Sequence, residues 1–70
     1  MKDTKNIAKN LSHLMAEHGI GTRKLADMVG TTPPTISRFV TGKAYPGADM
    51  LLQIADIFSV SIDSLYEGSD

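Results

Sequence analysis

The sequence predicts an all-α fold of five short helices in one compact domain, and three observations support this prediction. The chain has 70 residues, which leaves room for one domain over residues 1–70. Apolar residues recur at helical spacing in successive stretches, and no stretch alternates in the way typical of a strand. The connections between these stretches are two to six residues long, so neighbouring helices must pack against each other.

The first helix is predicted over residues 5–18, and Gly19 ends it. Its apolar residues follow the spacing i, i+4, i+7, i+8 at Ile7, Leu11, Leu14 and Met15. The chain has no cysteine near His13 or His18, so we interpret both histidines as helix-surface residues and expect no metal site. The lack of cysteine also excludes disulfides and is compatible with a reducing cytoplasm.

The second helix is short and ends at Gly30. Either Gly21 or Thr22 can cap its start. Its apolar stripe consists of Leu25, Ala26 and Val29.

The third helix starts at two consecutive prolines and ends at Gly42. Proline costs little there because the first N–H groups of a helix have no intrahelical acceptor. Pro34 disfavours the α region for the residue before it, so we expect the helix to begin at Pro34, with Pro33 at or near the cap. The apolar residues of this helix are Ile36, Phe39 and Val40.

The fourth helix, predicted over residues 48–58, is apolar on most sides, which is typical of a helix in the centre of a fold. Ser61 can cap a fifth helix over residues 62–66. A polar tail at residues 67–70 follows. No apolar run approaches the roughly 18 residues needed to cross a membrane, and no signal peptide is visible.

The spacing of Ala26, Gly30 and Ile36 predicts a helix-turn-helix over about residues 22–41. A steep crossing of two helices needs a small residue at the contact, and Ala26 supplies it. The sharp turn between them needs a residue that tolerates positive φ, and Gly30 supplies that. Ile36 anchors the third helix to the core, which completes the pattern Leu-Ala-x-x-x-Gly-x-x-x-x-x-Ile.

The chain resembles the Cro and lambda-repressor-like helix-turn-helix DNA-binding domains. The stretch GIGTRKLADMVGTTPPTISRFVTGKAYP and the later stretch LLQIADIFSVSIDSLY match the family's pattern in order and at its spacing. The resemblance covers about residues 7–65 and implies a compact five-helix lambda-repressor-like domain whose second and third helices form the motif. It also implies a non-enzymatic regulator that needs no cofactor.

Two departures from the family's pattern are informative. The glutamine that commonly begins the second helix is Thr22 here, followed by Arg23 and Lys24. Two cations in a first helical turn oppose the helix dipole, so we interpret them as phosphate contacts rather than as plain solvated charges. The family's arginine–glutamate pair between the first and third helices is replaced by Met15 and Val40, which we expect to touch.

The outer face of the third helix is the predicted base-reading surface. If Ile36 faces the core, the helical period turns Pro34, Arg38 and Thr41 outward, with Thr35 and Ser37 beside them. This face is small, polar and singly charged, which suits a major groove, whereas a plain solvent-facing helix is the alternative.

The resemblance implies a sequence-specific transcriptional regulator, a phage or bacterial repressor, that binds a double-stranded DNA operator as a homodimer.

 The isolated amino-terminal domain of a longer repressor fits the same sequence. The residues expected to contact phosphates are Thr22, Arg23, Lys24, Lys43 and Tyr45. At the C-terminal end, Val60 and Tyr66 are more apolar than a short terminal segment needs, and we expect them at the dimer interface.

The charge distribution leaves a second function open. All seven basic residues lie in residues 1–43, which carry a net charge of +4, whereas residues 44–70 carry −5. Such asymmetry can mark one surface for an anionic partner, or it can arise by chance at this low charge count. The alternative function is an antitoxin-type or other protein-binding module on the same fold, with secondary DNA binding.

Overall fold

The structure, a computed structural model, describes residues 4–67, with side chains from Asn6 to Glu67. Within this range the chain forms five helices and no strand: α1 Thr4–His18, α2 Thr22–Val29, α3 Pro33–Val40, α4 Ala48–Phe58 and α5 Ile62–Tyr66. The prediction of an all-α, five-helix fold is therefore confirmed. Of the polar tail predicted at residues 67–70, Glu67 is described, and residues 68–70 lie outside the described residues.

The core lies between all five helices. Helix α1 packs against α3 and α5, while α2 packs against α3 and α4. Each helix contributes at least one side chain that is no more than 1% exposed: Leu11, Leu25, Ile36, Ile54 and Leu65. The domain therefore has a single shared core, so α3 is held by contacts with two other helices rather than by its own eight residues.

The turn between α2 and α3 has the geometry that the helix-turn-helix pattern predicts. Gly30 ends α2 in the left-handed region at φ 76°. The carbonyl of Ala26 accepts hydrogen bonds from the N–H of Gly30 and, at 2.9 Å, from the N–H of Thr31. Ala26 itself is fully buried in the core, and α2 packs against α3.

The predicted start of α3 was wrong by one residue. The helix begins at Pro33, and Thr32 is its extended N-cap. The carbonyl of Thr32 accepts the N–H of Thr35 at 3.0 Å and that of Ile36 at 3.3 Å. These two bonds close the first turn around both prolines, which outweighs the tendency of Pro34 to push the residue before it out of the helical region.

The contact expected between Met15 and Val40 stays a prediction. Met15 is buried in the core and Val40 is half-buried against the same core.

Both histidines are exposed on α1, and the ring of His18 lies edge-on to that of Phe58 at a centroid distance of 5.0 Å. Among residues 4–67, no helix has the length and apolar character needed to cross a bilayer.

Two asparagines of α1 hold the C-terminal end of α5. The side-chain amide of Asn6 donates to the carbonyl of Tyr66 at 3.1 Å. The amide of Asn10, one helical turn later, approaches three further carbonyls at 2.8–3.2 Å, those of Leu65, Glu67 and Ser64. A helix leaves such carbonyls without intrahelical donors, so α1 supplies the missing cap.

At the other end of α5, the side chain of Ser61 accepts the N–H of Ser64 at 3.2 Å, which confirms the predicted cap.

We expect Asn10→Ala to lower the free energy of unfolding by about 1–3 kcal/mol, because the end of α5 loses its principal donor. Urea denaturation followed by circular dichroism measures this change. Ser12→Ala is the matched control, since Ser12 is an exposed residue of the same helix. Equal stability of the two variants would show that the asparagine cap contributes nothing.

Candidate nucleic-acid interface

The exposed side of α3 carries the side chains predicted to read bases. Ile36 and Phe39 are buried, which turns the opposite side of the helix toward solvent. Along that side, the structure exposes Pro34, Ser37 and Arg38, half-buries Thr35, and exposes Thr41 at the C-cap. The predicted residues therefore lie on one continuous strip.

The start of α3 presents hydroxyl groups and proline rings. Pro33 and Pro34 have no N–H, and the next two N–H groups are bonded to the carbonyl of Thr32. Many helix N-termini bind anions through free N–H groups, but this first turn has none to offer. The side-chain oxygens of Thr32 and Thr35 lie 3.0 Å apart and share a hydrogen bond.

Thr32 is a candidate site residue that the sequence analysis missed. It is exposed, and its side chain forms no capping bond to the backbone of α3. Its hydroxyl is instead directed toward Thr35 on the candidate base-reading strip. A threonine directly before a proline at the first helical position is a recognisable cap pattern, so the sequence contained this information.

Thr41 differs from the other residues of the strip because its hydroxyl proton is already used. The hydroxyl donates to the carbonyl of Ser37 at 2.9 Å and lies 3.3 Å from that of Arg38. Toward a ligand, Thr41 therefore offers a methyl group and an acceptor oxygen rather than a donor.

The loop between α3 and α4 is tied to the backbone of Arg38. The carbonyl of Arg38 accepts the N–H of Lys43 at 2.9 Å and that of Ala44 at 3.2 Å. Pro46, which follows, is fully buried. This places the exposed side chains of Lys43 and Tyr45 next to the C-terminal end of the strip.

The structure joins Tyr45 to Tyr66, two residues for which the sequence predicted separate roles. Their hydroxyl groups form a hydrogen bond, and their rings lie 6.4 Å apart at 41°. The hydrogen bond with Tyr66, which holds the proton of Tyr45, is the main reason why the pKa of Tyr45 is raised above its ordinary value, with burial and the charge of Tyr66 adding to it. Tyr45 is therefore protonated, and able to donate, throughout the neutral range.

The start of α2 is a positively charged site that is separate from the exposed strip of α3. Thr22 is half-buried, while Arg23 and Lys24 are exposed. Gly21 caps the helix without a side-chain bond, so the positive end of the helix dipole lies beside the two cations. An open groove of about 630 Å³ runs along this end, lined by Gly19, Gly21, Thr22, Arg23, Lys24 and Asp27. Its chemistry suits a phosphate group.

Val60 lies in a different part of the molecule. It is half-buried in the connection between α4 and α5, where its N–H donates to the carbonyl of Ala55 at 2.9 Å. It lines a groove of about 280 Å³ between α1 and α5 together with Asn10, His13, Leu14, Glu17 and Ser64.

Solved structures with this fold include regulators and an enzyme. A transcriptional regulator from Listeria innocua superposes with a TM-score of 0.84 at 30% identity, over 91% of this chain and 60% of that chain. The P22 c2 repressor, solved in complex with a synthetic operator, has a TM-score of 0.83 at 22% identity, over 90% of this chain and 96% of that one. Hydroxypropylphosphonic acid epoxidase from S. wedmorenis has a TM-score of 0.85 at 21% identity, over 99% of this chain and 37% of that one.

These superpositions cover different shares of the compared proteins. The chain spans less than two thirds of the Listeria regulator and of the epoxidase, and a shared fold does not transfer an activity. No curated protein matches the sequence. The model of the family described as "Cro/C1-type HTH DNA-binding domain" matches residues 10–69, which include α2, α3 and most of the core. The chain therefore belongs to the Cro/C1-type helix-turn-helix DNA-binding domain family.

Proposed function

We propose that this protein is a sequence-specific transcriptional regulator of phage or bacterial origin that binds a double-stranded DNA operator as a dimer and represses transcription. The observation that carries the proposal is the outer strip of α3, which is exposed, polar and singly charged at Arg38. A major groove admits an α-helix of this kind. The P22 c2 repressor, whose fold is similar and whose structure includes a synthetic operator, supports operator binding by this fold.

In the proposed complex, α3 lies in the major groove and Arg38 donates to guanine O6 and N7, the commonest specific contact. Ser37 and Thr35 supply hydroxyl groups beside it, and Thr41 supplies a methyl group. Pro34 has no hydrogen to donate, so its ring is suited to apolar contact with a thymine methyl.

The phosphate contacts in this proposal come from two sites that flank α3. One is the start of α2 with Thr22, Arg23 and Lys24, and the other is the loop that carries Lys43 and Tyr45. The concentration of all seven basic residues in residues 1–43 supports this orientation of the domain toward DNA.

The proposed regulator acts in the cytoplasm, by binding alone, with no catalytic step, cofactor or metal. The candidate site consists of hydroxyl groups, proline rings and cations, without the paired acid and base of an acid–base enzyme. Within the described part of the chain, no group of three or more potential ligands is placed to hold a metal ion.

An antitoxin-type protein-binding module is the second candidate. The acidic residues of α4 and α5, Asp49, Asp56 and Asp63, are exposed, and no basic residue occurs in residues 44–70. A basic partner protein would find a complementary surface there.

Affinity for duplex DNA at increasing salt concentration distinguishes the two candidates. A regulator releases counterions on binding, so its affinity falls steeply with salt, whereas a protein-binding module shows almost no salt-dependent binding. We expect Arg23→Ala to weaken binding to all sequences about equally and to flatten the slope by about one phosphate contact. Arg23→Lys, which keeps the charge, is the control and should retain the slope. A wild-type protein without salt-dependent binding contradicts the proposed function.

We expect Arg38→Ala to reduce operator affinity by roughly 1–3 kcal/mol and to relax the preference at one base pair in each half-site. Selection of bound duplexes from a random pool measures that preference. Arg38→Lys is the informative control, because lysine keeps the charge but cannot make the paired contact of arginine. If both variants keep the wild-type consensus, Arg38 contacts phosphate and does not read a base.

We expect Val60→Asp to weaken dimerisation and operator binding while the helical content is retained. Two-fold symmetry would place the two α3 helices about 34 Å apart, one turn of DNA, so losing the dimer loses half of the contacts. Sedimentation and circular dichroism measure assembly and fold. Ser59→Asp adds the same charge at the exposed neighbouring residue and serves as the control. An equal loss in both variants would point to charge repulsion rather than to a subunit contact.

A further inference from the structure

The backbone on both sides of Tyr45 is fixed, but its side chain projects from the surface. Lys43 and Ala44 donate their N–H groups to the carbonyl of Arg38, and Pro46 is fully buried. The Tyr45 side chain is 47% exposed, so the core does not hold its ring in place. The contact that orients it is the hydroxyl hydrogen bond with Tyr66, on the last residue of α5.

Tyr66 is well placed to act as a support. Its carbonyl accepts the side-chain amide of Asn6 at 3.1 Å, and its side chain packs against the core. The carbonyls on either side of it, those of Leu65 and Glu67, accept the amide of Asn10 at 2.8 and 2.9 Å. Tyr66 is therefore fixed to α1 through its backbone, and the position of its hydroxyl follows from that attachment.

The hydroxyl pair has a defined chemical consequence. Either hydroxyl can be the donor of this bond. When Tyr66 donates to the oxygen of Tyr45, the proton of Tyr45 can be directed toward another acceptor, such as a bound ligand. A hydroxyl that accepts one hydrogen bond is a stronger donor in the next, because successive bonds polarise each other. Phosphate oxygens are strong acceptors, and tyrosine hydroxyls are among the groups that contact them in DNA complexes.

We propose that Tyr66 is a positioning residue that orients the Tyr45 hydroxyl to donate a hydrogen bond to a phosphate of the operator. This inference rests on the proposed function and adds a role for α5 within each subunit. It accounts for a tyrosine at the exposed position 45 and for the anchoring of such a short helix by two asparagines. A neutral donor releases no counterion, so its loss lowers affinity without changing the salt slope.

The test compares the wild-type protein with Tyr66→Phe, Tyr45→Phe and the double variant on one duplex. Each phenylalanine keeps the ring and removes only the hydroxyl. We expect each single variant to bind about two- to tenfold more weakly, with an unchanged salt slope and unchanged sedimentation. We expect the double variant to bind no more weakly than Tyr45→Phe, because both changes remove the same phosphate contact.

A second measurement reports on the pair without DNA. The chain has two tyrosines and no tryptophan, so Tyr66→Phe leaves Tyr45 as the only phenol. In the free protein the pKa of Tyr45 is raised because its hydroxyl donates to Tyr66, so removing the Tyr66 hydroxyl should lower the midpoint of Tyr45 in an ultraviolet titration below its wild-type value.

The outcomes separate this inference from the proposed function. Wild-type DNA binding together with wild-type affinity of Tyr66→Phe overturns the positioning role alone. A Tyr66→Phe variant with altered sedimentation overturns it in favour of a subunit contact, and additive losses in the double variant overturn it in favour of two independent contacts. Absence of DNA binding by the wild-type protein overturns the proposed function as well, whatever the titration shows.

Discussion

The packing of α2 against α3, joined by a turn that the buried Ala26 holds closed, is the constraint on which the rest of this structure depends. Ala26 has no exposed surface, and its carbonyl binds the two N–H groups that open the turn. A larger side chain there would have to separate the helices or displace core atoms, at a typical cost of about 1–3 kcal/mol. Since α3 begins three residues after Gly30, its direction follows from this contact. The relative placement of Arg23 on α2 and Arg38 on α3 is set in the same way.

Arg38 connects the two parts of the candidate interface. Its side chain lies on the exposed strip of α3, while its carbonyl holds the N–H groups of Lys43 and Ala44. A movement of α3 therefore carries the start of the following loop with it, because these two N–H groups are bonded to the last turn of the helix. In the proposed complex, the residues that read bases and those that contact phosphates shift together, which favours one register of the domain on the duplex.

The sequence predicted those features that depend on neighbouring residues along the chain. Helical spacing identified the first three helices, apolar character on most sides the fourth and the Ser61 cap the fifth, and the glycine and proline positions located the turns. The start of α3 was displaced by one residue because the rule for residues before proline ignores the two hydrogen bonds to Thr32. The asparagine cap was not predicted, since it joins residues 54–60 positions apart. The contact of Tyr45 with Tyr66 spans 21 positions and two loops, and no periodicity reports on it.

The two prolines at the start of α3 also bear on how quickly a complex can form. Each proline fixes its own φ angle near the helical value before any partner is present, so fewer conformations must be lost when the first turn forms. A recognition helix that is already formed can dock without a folding step, and slow conformational change is one cause of low association rates. The same rigidity limits evolutionary change, because a glutamine at either position would add a hydrogen-bond donor and at the same time loosen the turn that presents it.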